Sequence, residues 1–193
     1  MKAILVEEYG APDVLRLSEL PEPRPGPGEV VVRVRAVGVN PVDAYRRSGR
    51  YRNLPSLPYT PGSDAAGEVV EAGEGVTRWS LGDRVYTDHT ASRAYAELVL
   101  CREDQIHPLA ASLSFGQGAA LGVPYATAFR ALFQRGSARP GERLLIHGAT
   151  GGVGLAAVQL ARAAGLEITA TGGTDEGGSP SSGSEPAPRP PGE

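Results

Sequence analysis

The chain has 193 residues, enough for one domain of ordinary size or for parts of two. Hydrophobic residues make up 40% and charged residues 21%, which excludes a chain that is disordered throughout. The net charge of -3 gives no overall attraction to nucleic acid or to an anionic membrane. The one cysteine, Cys101, excludes an internal disulfide framework and a zinc site built on several thiolates.

No segment reaches the roughly 18 uninterrupted apolar residues that a membrane helix needs. The N-terminal apolar run from Ala3 to Val6 is too short for a signal peptide. We therefore expect a soluble, cytoplasmic protein that has no membrane partner.

The first hundred residues predict short β-strands separated by turns. A strand is predicted from Glu29 to Val37. Its apolar residues Val32, Val34 and Ala36 face one way and Arg33 and Arg35 the other, as in a half-buried strand. Asn40 as the N-cap and Pro41 at the first helical position predict the start of a short helix, which Gly49 ends. The other strands predicted in this half are Lys2 to Val6, Val14 to Leu20, Gly67 to Ala72, Arg84 to Thr87 and Ala94 to Leu100.

Helices and strands alternate in the second half of the chain. Helices are predicted over residues 114–121 and 125–134. A strand at Arg143 to His147, a helix at Val153 to Ala164 and a strand at Leu166 to Thr171 then form one βαβ unit, whose strands must be parallel. The last residues, Gly177 to Glu193, are mostly Gly, Ser and Pro and include no large hydrophobic side chain. This composition predicts a disordered tail.

The sharpest motif lies between the first strand and the helix of this βαβ unit. Glycines at 148, 151 and 154 follow an apolar strand and open a helix. Glycines allow a pyrophosphate to approach the backbone, and the helix N-terminus favours its negative charge. A tight turn that binds nothing is the alternative, but the strand on each side of the helix favours dinucleotide binding.

The end of the second strand of the βαβ unit predicts which dinucleotide is bound. NAD sites usually carry a carboxylate there, which holds the ribose 2′-hydroxyl. Here Thr171 leads into two glycines, and Asp175 comes too late in the chain. The missing acid leaves room for a 2′-phosphate, so we expect NADP(H).

The chain resembles the zinc-free quinone oxidoreductases of the medium-chain dehydrogenase/reductase superfamily, of the zeta-crystallin type. The resemblance runs in order from Met1 to about Gly177. The matching stretches are residues 37–45, 58–64, 82–86, 116–120, 124–128 and the glycine motif.

The resemblance implies an α/β plus β fold. A GroES-like, mostly-β substrate domain at residues 1–122 is followed by a partial Rossmann dinucleotide-binding domain at 123–176, and the disordered tail covers 177–193. It also implies NADPH-dependent reduction of a small-molecule quinone by hydride or one-electron transfer.

Site residues are carried over by motif. The resemblance implies that the cofactor is held by Tyr45, Thr150, Gly151, Gly152, Val153 and Gly173. It implies that Asn40, Ser63 and Thr127 line the substrate cleft, with no firm catalytic residue.

Zinc-containing members of the superfamily have a ligand histidine in a Pro-Gly-His-Glu stretch and an early catalytic cysteine. This chain has Ser63 in the Pro-Gly-Ser-Asp stretch and Asn40 in the early loop. We therefore expect no metal. His89 and His107 are interpreted as surface or turn residues, His147 as a structural residue, and Cys101 as inert.

The family pattern breaks off after the second Rossmann strand. We expect a C-terminally truncated product, a real one or one of a faulty gene model, whose catalysis is impaired. The alternative function is a non-catalytic relative that acts by binding protein or RNA. The basic and aromatic stretch from Tyr45 to Arg52 suits RNA, although a solvated rim explains it better. A homo-oligomer also stays open.

Overall fold

The computed structural model describes residues 1–88 and 94–173. The chain divides into two compact units, one spanning Met1–Thr127 and the other beginning at Ala128. The predicted disordered tail lies outside the described residues, as do His89 and Asp175. The predicted domain boundaries stay predictions.

The first unit is built on a five-stranded antiparallel sheet in the order β6-β3-β4-β5-β7. Its strands are β3 (Glu29–Gly38), β4 (Asp64–Ala72), β5 (Arg84–Thr87), β6 (Leu98–Arg102) and β7 (Ile106–Pro108). A separate antiparallel pair is formed by β1 (Lys2–Leu5) and β2 (Arg16–Glu19). Short 3-10 helices lie at Pro12–Val14 and Glu103–Gln105.

Strand β3 has ten residues, and the predicted alternation of its two faces holds only in its second half. From Arg33 onward, exposed residues alternate with half-buried ones, as predicted. Its first half is different, because Val30, Val31 and Val32 are all buried. A register shift against β4 between Val31 and Val32 interrupts the simple two-residue period there. The core beneath this sheet contains Val30, Val32, Val69, Trp79, Val85, Val99, Cys101 and Ile106.

Three sequence predictions for the strands and helices were wrong in extent. The strand predicted at Ala94 to Leu100 is β6 and lies four residues later at its start, while β7 was not predicted at all. The helix predicted over 114–121 is only one turn long, α2 (Phe115–Gly118). The helix predicted over 125–134 begins as α3 (Gly122–Phe129) and continues as a π-helical segment, Arg130–Arg135.

The second unit contains the predicted βαβ arrangement. Strand β8 (Arg143–Ile146) pairs in parallel with β9 (Glu167–Ala170), and α4 (Gly152–Ala163) connects them. Helix α4 buries Ala156, Ala157 and Ala161. Gly165 follows the helix with a φ of 74°, as expected for a glycine that ends a helix. The predicted sequence of a mostly-β region followed by one βαβ unit is thus confirmed.

Candidate functional site

Helix α1 (Pro41–Arg47) begins where the sequence predicted, and Asn40 occupies its N-cap position. The cap is made by Asp43, whose Oδ2 accepts a hydrogen bond of 2.9 Å from the backbone N–H of Asn40. Pro41 fits the first helical position because it needs no hydrogen-bond acceptor there. The capping by Asp43 leaves the side-chain amide of Asn40 available for a different contact.

That contact is with Asp64, at the start of β4. The Asn40 amide nitrogen Nδ2 donates to Asp64 Oδ2 over 2.8 Å. The other oxygen, Oδ1, accepts the backbone N–H of Val123 in α3 over 2.9 Å. Asn40 is 7% exposed and Asp64 only 1%. A carboxylate this deeply buried requires such donors. Desolvation of the charged group without compensating hydrogen bonds would cost several kcal/mol.

Backbone atoms enclose Asp64 very closely. A Cβ added at Gly38 would lie 2.9 Å from the Cβ of Asp64 and 2.4 Å from the carbonyl oxygen of Ala119. A Cβ at Gly122 would lie 2.4 Å from Asp64 Oδ1 and 2.8 Å from the carbonyl oxygen of Thr87. Only glycine fits at these two positions, so the surroundings of Asp64 are made largely of peptide groups.

The buried hydroxyl of Thr87 ties β5 to the beginning of β4. It accepts the backbone N–H of Ala65 over 2.8 Å and lies 3.1 Å from the carbonyl oxygen of Ser63, to which it can donate. Ser63 itself is buried, directly before Asp64. This arrangement fixes the backbone from which both side chains project.

Two tyrosines lie near Asp43. The Tyr95 hydroxyl donates to Asp43 Oδ2 over 3.3 Å, and burial together with this carboxylate raises the pKa of Tyr95. Burial also raises the pKa of Tyr59, with smaller contributions from Tyr9 and Asp43. Asp43 Oδ1 and the Tyr59 hydroxyl are buried and make no hydrogen bond within the described part of the chain.

Of the predicted cleft residues, the structure brings Asn40 and Ser63 to the same buried place around Asp64. Thr127 lies one turn after Val123 in α3 and is exposed. Tyr45 projects from α1 with 54% of its surface exposed. In the basic stretch after it, the Arg46 guanidinium lies 5.3 Å from the ring centre of Tyr51.

The glycine motif of the second unit lies between β8 and α4. Gly148 has a φ of 67°, and Gly151 is the N-cap of α4. A Cβ at Gly154 would lie 2.2 Å from the carbonyl oxygen of Gly148, so the helix packs directly on the loop. The residues at the helix N-terminus, Thr150, Gly151, Gly152 and Val153, are all exposed. The first N–H groups of α4 therefore lie at the surface, as an anion site requires.

The end of β9 lies beside this loop. The N–H of Ala149 donates to the carbonyl oxygen of Thr171 over 2.9 Å, and Thr171 Oγ1 lies 3.0 Å from Nδ1 of His147. This contact supports the structural interpretation of His147. Gly173, two residues further, is exposed, and a Cβ there would meet nothing within 4 Å.

The remaining candidates, His107 and Cys101, belong to strands of the five-stranded sheet. His107 is in β7 rather than in a turn, 3.4 Å from Asp88 Oδ2, and burial lowers its pKa. Cys101 is buried within β6, where burial raises the pKa of its thiol to about 12.

The described residues contain no group of three or more His, Cys, Asp or Glu that could hold a metal ion. No helix formed by residues 1–88 and 94–173 is long and apolar enough to cross a membrane.

Sequence reasoning missed the two buried carboxylates that organise the first site. Asp43 and Asp64 lie in two of the matching stretches, 37–45 and 58–64, but no role was predicted for them. A signal existed for Asp64, because it precedes Ala65, Ala66 and Gly67 in a strand that has no other charge until Glu68. Its partners Asn40 and Val123 lie 24 and 59 residues away, and no local pattern indicates them.

Comparison with known proteins adds to this geometry. Residues 26–127 match the family described as the alcohol dehydrogenase GroES-like domain. The chain is 52% identical over 178 residues to the quinone oxidoreductase of Mus musculus and 49% identical to that of Homo sapiens. Each match covers 92% of this chain and 54% of the relative, so the chain spans about half the length of these curated relatives.

A solved structure is similar over the same range. The Escherichia coli quinone oxidoreductase complexed with NADPH superposes with a TM-score of 0.81 at 37% identity, covering 91% of this chain and 54% of that chain. The predicted GroES-like domain followed by a Rossmann-type unit is confirmed by these matches.

Proposed function

Because this chain belongs to the alcohol dehydrogenase GroES-like domain family, within the medium-chain dehydrogenase/reductase superfamily, we propose that it takes part in the reduction of quinones by NADPH without zinc. The observation that carries the proposal is the similarity to two quinone oxidoreductases at about half of all positions, combined with an exposed glycine-rich helix N-terminus.

The residues of the second unit fit a dinucleotide. The proposal assigns the pyrophosphate to Thr150, Gly151, Gly152 and Val153, since they are exposed at the start of a twelve-residue helix. The glycine packing at Gly154 supports this, because a larger residue there would push the loop away from the helix. Gly173 would lie near the adenosine ribose.

NADP(H) is the cofactor that we propose, over NAD(H). Strand β9 ends at Ala170, and Thr171, Gly172 and Gly173 follow it without a carboxylate. An acid in that position is what usually selects the free 2′-hydroxyl of NAD. The E. coli structure described as complexed with NADPH agrees with this choice.

The first unit would supply the substrate side. Asn40, Ser63 and Thr127 are proposed to line the quinone site, and Tyr45 to contact the cofactor. Asn40 and Ser63 offer an amide and a hydroxyl, neither of which is a usual zinc ligand. When bound, NADPH supplies the hydride or the electrons, and the residues of the chain position the quinone and exclude water.

Titration with NADPH and with NADH, followed by the fluorescence of the reduced nicotinamide, tests the proposal. We expect NADPH to bind more tightly. Gly151→Leu is expected to weaken NADPH binding at least tenfold, because its side chain would occupy the helix N-terminus. Gly116→Leu is the matched control, since Gly116 is exposed in α2 and a Cβ there is 3.8 Å from Ser114 Oγ. Absence of NADPH binding, or equal loss in both variants, would contradict the proposal.

Steady-state assays of NADPH oxidation with duroquinone then test the reaction itself. Turnover that disappears in Gly151→Leu but persists in Gly116→Leu supports quinone reduction. Tight NADPH binding without turnover would limit this chain to cofactor binding.

A further inference from the structure

The hydrogen bonds around Asp64 determine which way the Asn40 amide points. An ionised carboxylate accepts hydrogen bonds and donates none. Asp64 Oδ1 already accepts the N–H of Val123, and Oδ2 accepts from Asn40. The amide of Asn40 must therefore turn its Nδ2 toward Asp64. Because the amide group is planar, its carbonyl oxygen Oδ1 then points away from Asp64.

We infer that Asp64 is a positioning residue that makes Asn40 present its Oδ1, a hydrogen-bond acceptor, to a ligand group bearing an O–H or N–H. This inference rests on the proposed function for its ligand. A quinone has carbonyl acceptors only, whereas the hydroquinone formed from it carries hydroxyl donors. Asn40 oriented in this way recognises the oxygen of the substrate after it has gained its proton.

The hydrogen bond between Asn40 and Asp64 also determines the effect of a substitution at position 64. Asp64→Asn is nearly isosteric, and its Oδ1 can still accept the Val123 N–H. The NH2 group of the new amide then stands where Asp64 Oδ2 faces Asn40 in the wild type. To accept from that group, Asn40 must rotate its amide by about 180°, and it then presents NH2 to the ligand. The variant is thus expected to reverse the polarity of Asn40 rather than merely to loosen it.

The space around the pair favours this reversal over a larger rearrangement. Gly38 and Gly122 bring backbone atoms against Asp64, so a side chain of the same size has no alternative position. Asn40 is also held at its backbone by Asp43, on an independent hydrogen bond. Rotation of the terminal amide is therefore the adjustment that disturbs the fewest contacts.

The first measurement reads the amide directly. The side-chain NH2 signals of Asn40 are assigned by NMR in the full chain, and we expect one proton to be shifted downfield and protected from solvent exchange by its bond to Asp64. Asp64→Asn should remove that shift and protection. Asp83→Asn is the matched control, because Asp83 accepts the N–H of Ser80 in a turn and makes no contact with Asn40.

The second measurement uses ligand binding to test whether Asn40 presents a hydrogen-bond acceptor or a donor. 1,4-Dihydroxybenzene, kept anaerobic, is compared with 1,4-dimethoxybenzene, which has the same ring and no donor. We expect the dihydroxy compound to bind about tenfold more tightly to the wild type, the effect of roughly one hydrogen bond. This preference should vanish in Asp64→Asn and persist in Asp83→Asn.

The outcomes separate the inference from the proposed function. Unchanged Asn40 amide signals in a folded Asp64→Asn protein would overturn the inference. If Asp64→Asn does not fold, the double variant Asn40→Asp/Asp64→Asn replaces it, since it keeps one donor and one acceptor between the two side chains. The second oxygen of the new carboxylate at position 40 still presents an acceptor to the ligand, so this variant should fold and keep the preference for the dihydroxy compound. Loss of the preference in a folded double variant would also overturn the inference. Amide signals that respond to position 64 while neither ring compound binds would support the positioning and refute the quinone site.

Discussion

Gly154 provides the sharpest test of how the dinucleotide loop is built. In Gly154→Ala the new Cβ would lie 2.2 Å from the carbonyl oxygen of Gly148 and 2.7 Å from the Cα of Ala149. Favourable contacts between such atoms need about 3.5–4.0 Å. Both neighbours are backbone atoms, which cannot rotate away as a flexible side chain does. The helix and the loop must therefore separate.

The cost follows from two opposing effects. Overpacking of this kind costs about 1–3 kcal/mol. Replacing glycine by alanine within a helix returns up to about 1 kcal/mol through backbone entropy. We therefore expect a net loss of about 1–2 kcal/mol, which for a chain of this size lowers the melting temperature by roughly 2–8 °C.

Thermal unfolding and hydrogen exchange read by mass spectrometry measure this effect. Exchange should accelerate in the peptides that cover α4 and β8, since these elements meet at the loop. Gly151→Ala is the control in the same loop, because its Cβ would be 3.5 Å from the nearest atom, the Gly148 oxygen. A Gly154→Ala protein that melts and exchanges like the wild type would refute the close packing of helix on loop.

Three further outcomes are expected. Thr87→Val should cost about 1–3 kcal/mol in urea unfolding because the buried N–H of Ala65 loses its acceptor, whereas Thr87→Ser should cost less; equal losses would contradict this. Burial raises the pKa of Cys101 from 9.0 to about 12, so the folded state holds this proton more tightly and loses stability as pH rises from about 9 toward 12. Cys101→Ala should reduce that slope, and an unchanged slope would show that other groups cause it. Finally, elemental analysis after dialysis against a chelator should find no stoichiometric zinc, because Asn40 and Ser63 offer neither thiolate nor imidazole; retained zinc would refute the zinc-free proposal.

The sequence was sufficient for features whose cause is local. The βαβ unit was predictable because an apolar strand, spaced glycines and an amphipathic helix follow one another directly. The start of α1 was predictable from Asn40 and Pro41. In each case, the residues that determine the structure are neighbours in the chain.

Features that depend on distant partners were not predictable in this way. Strand β7 has only three residues, and it forms because β5 offers it an edge. The π-helical turn after Phe129 interrupts a segment whose composition is simply helical. The role of Asn40 was misjudged in detail, since its amide bonds to Asp64 instead of capping α1. A helix cap needs only its own turn, whereas this bond requires β4 and α1 to be folded together.

The peptide walls around Asp64 have a consequence for engineering the site. A library that varies residues 38 and 122 would consist mostly of destabilised members, because a Cβ at either position meets backbone or Asp64 at under 3 Å. Positions 40 and 64 are best varied jointly, so that one side chain donates the hydrogen bond between them and the other accepts it. Screening single substitutions would miss pairs such as Asn40→Asp with Asp64→Asn, because Asn40→Asp alone would place two carboxylates against each other.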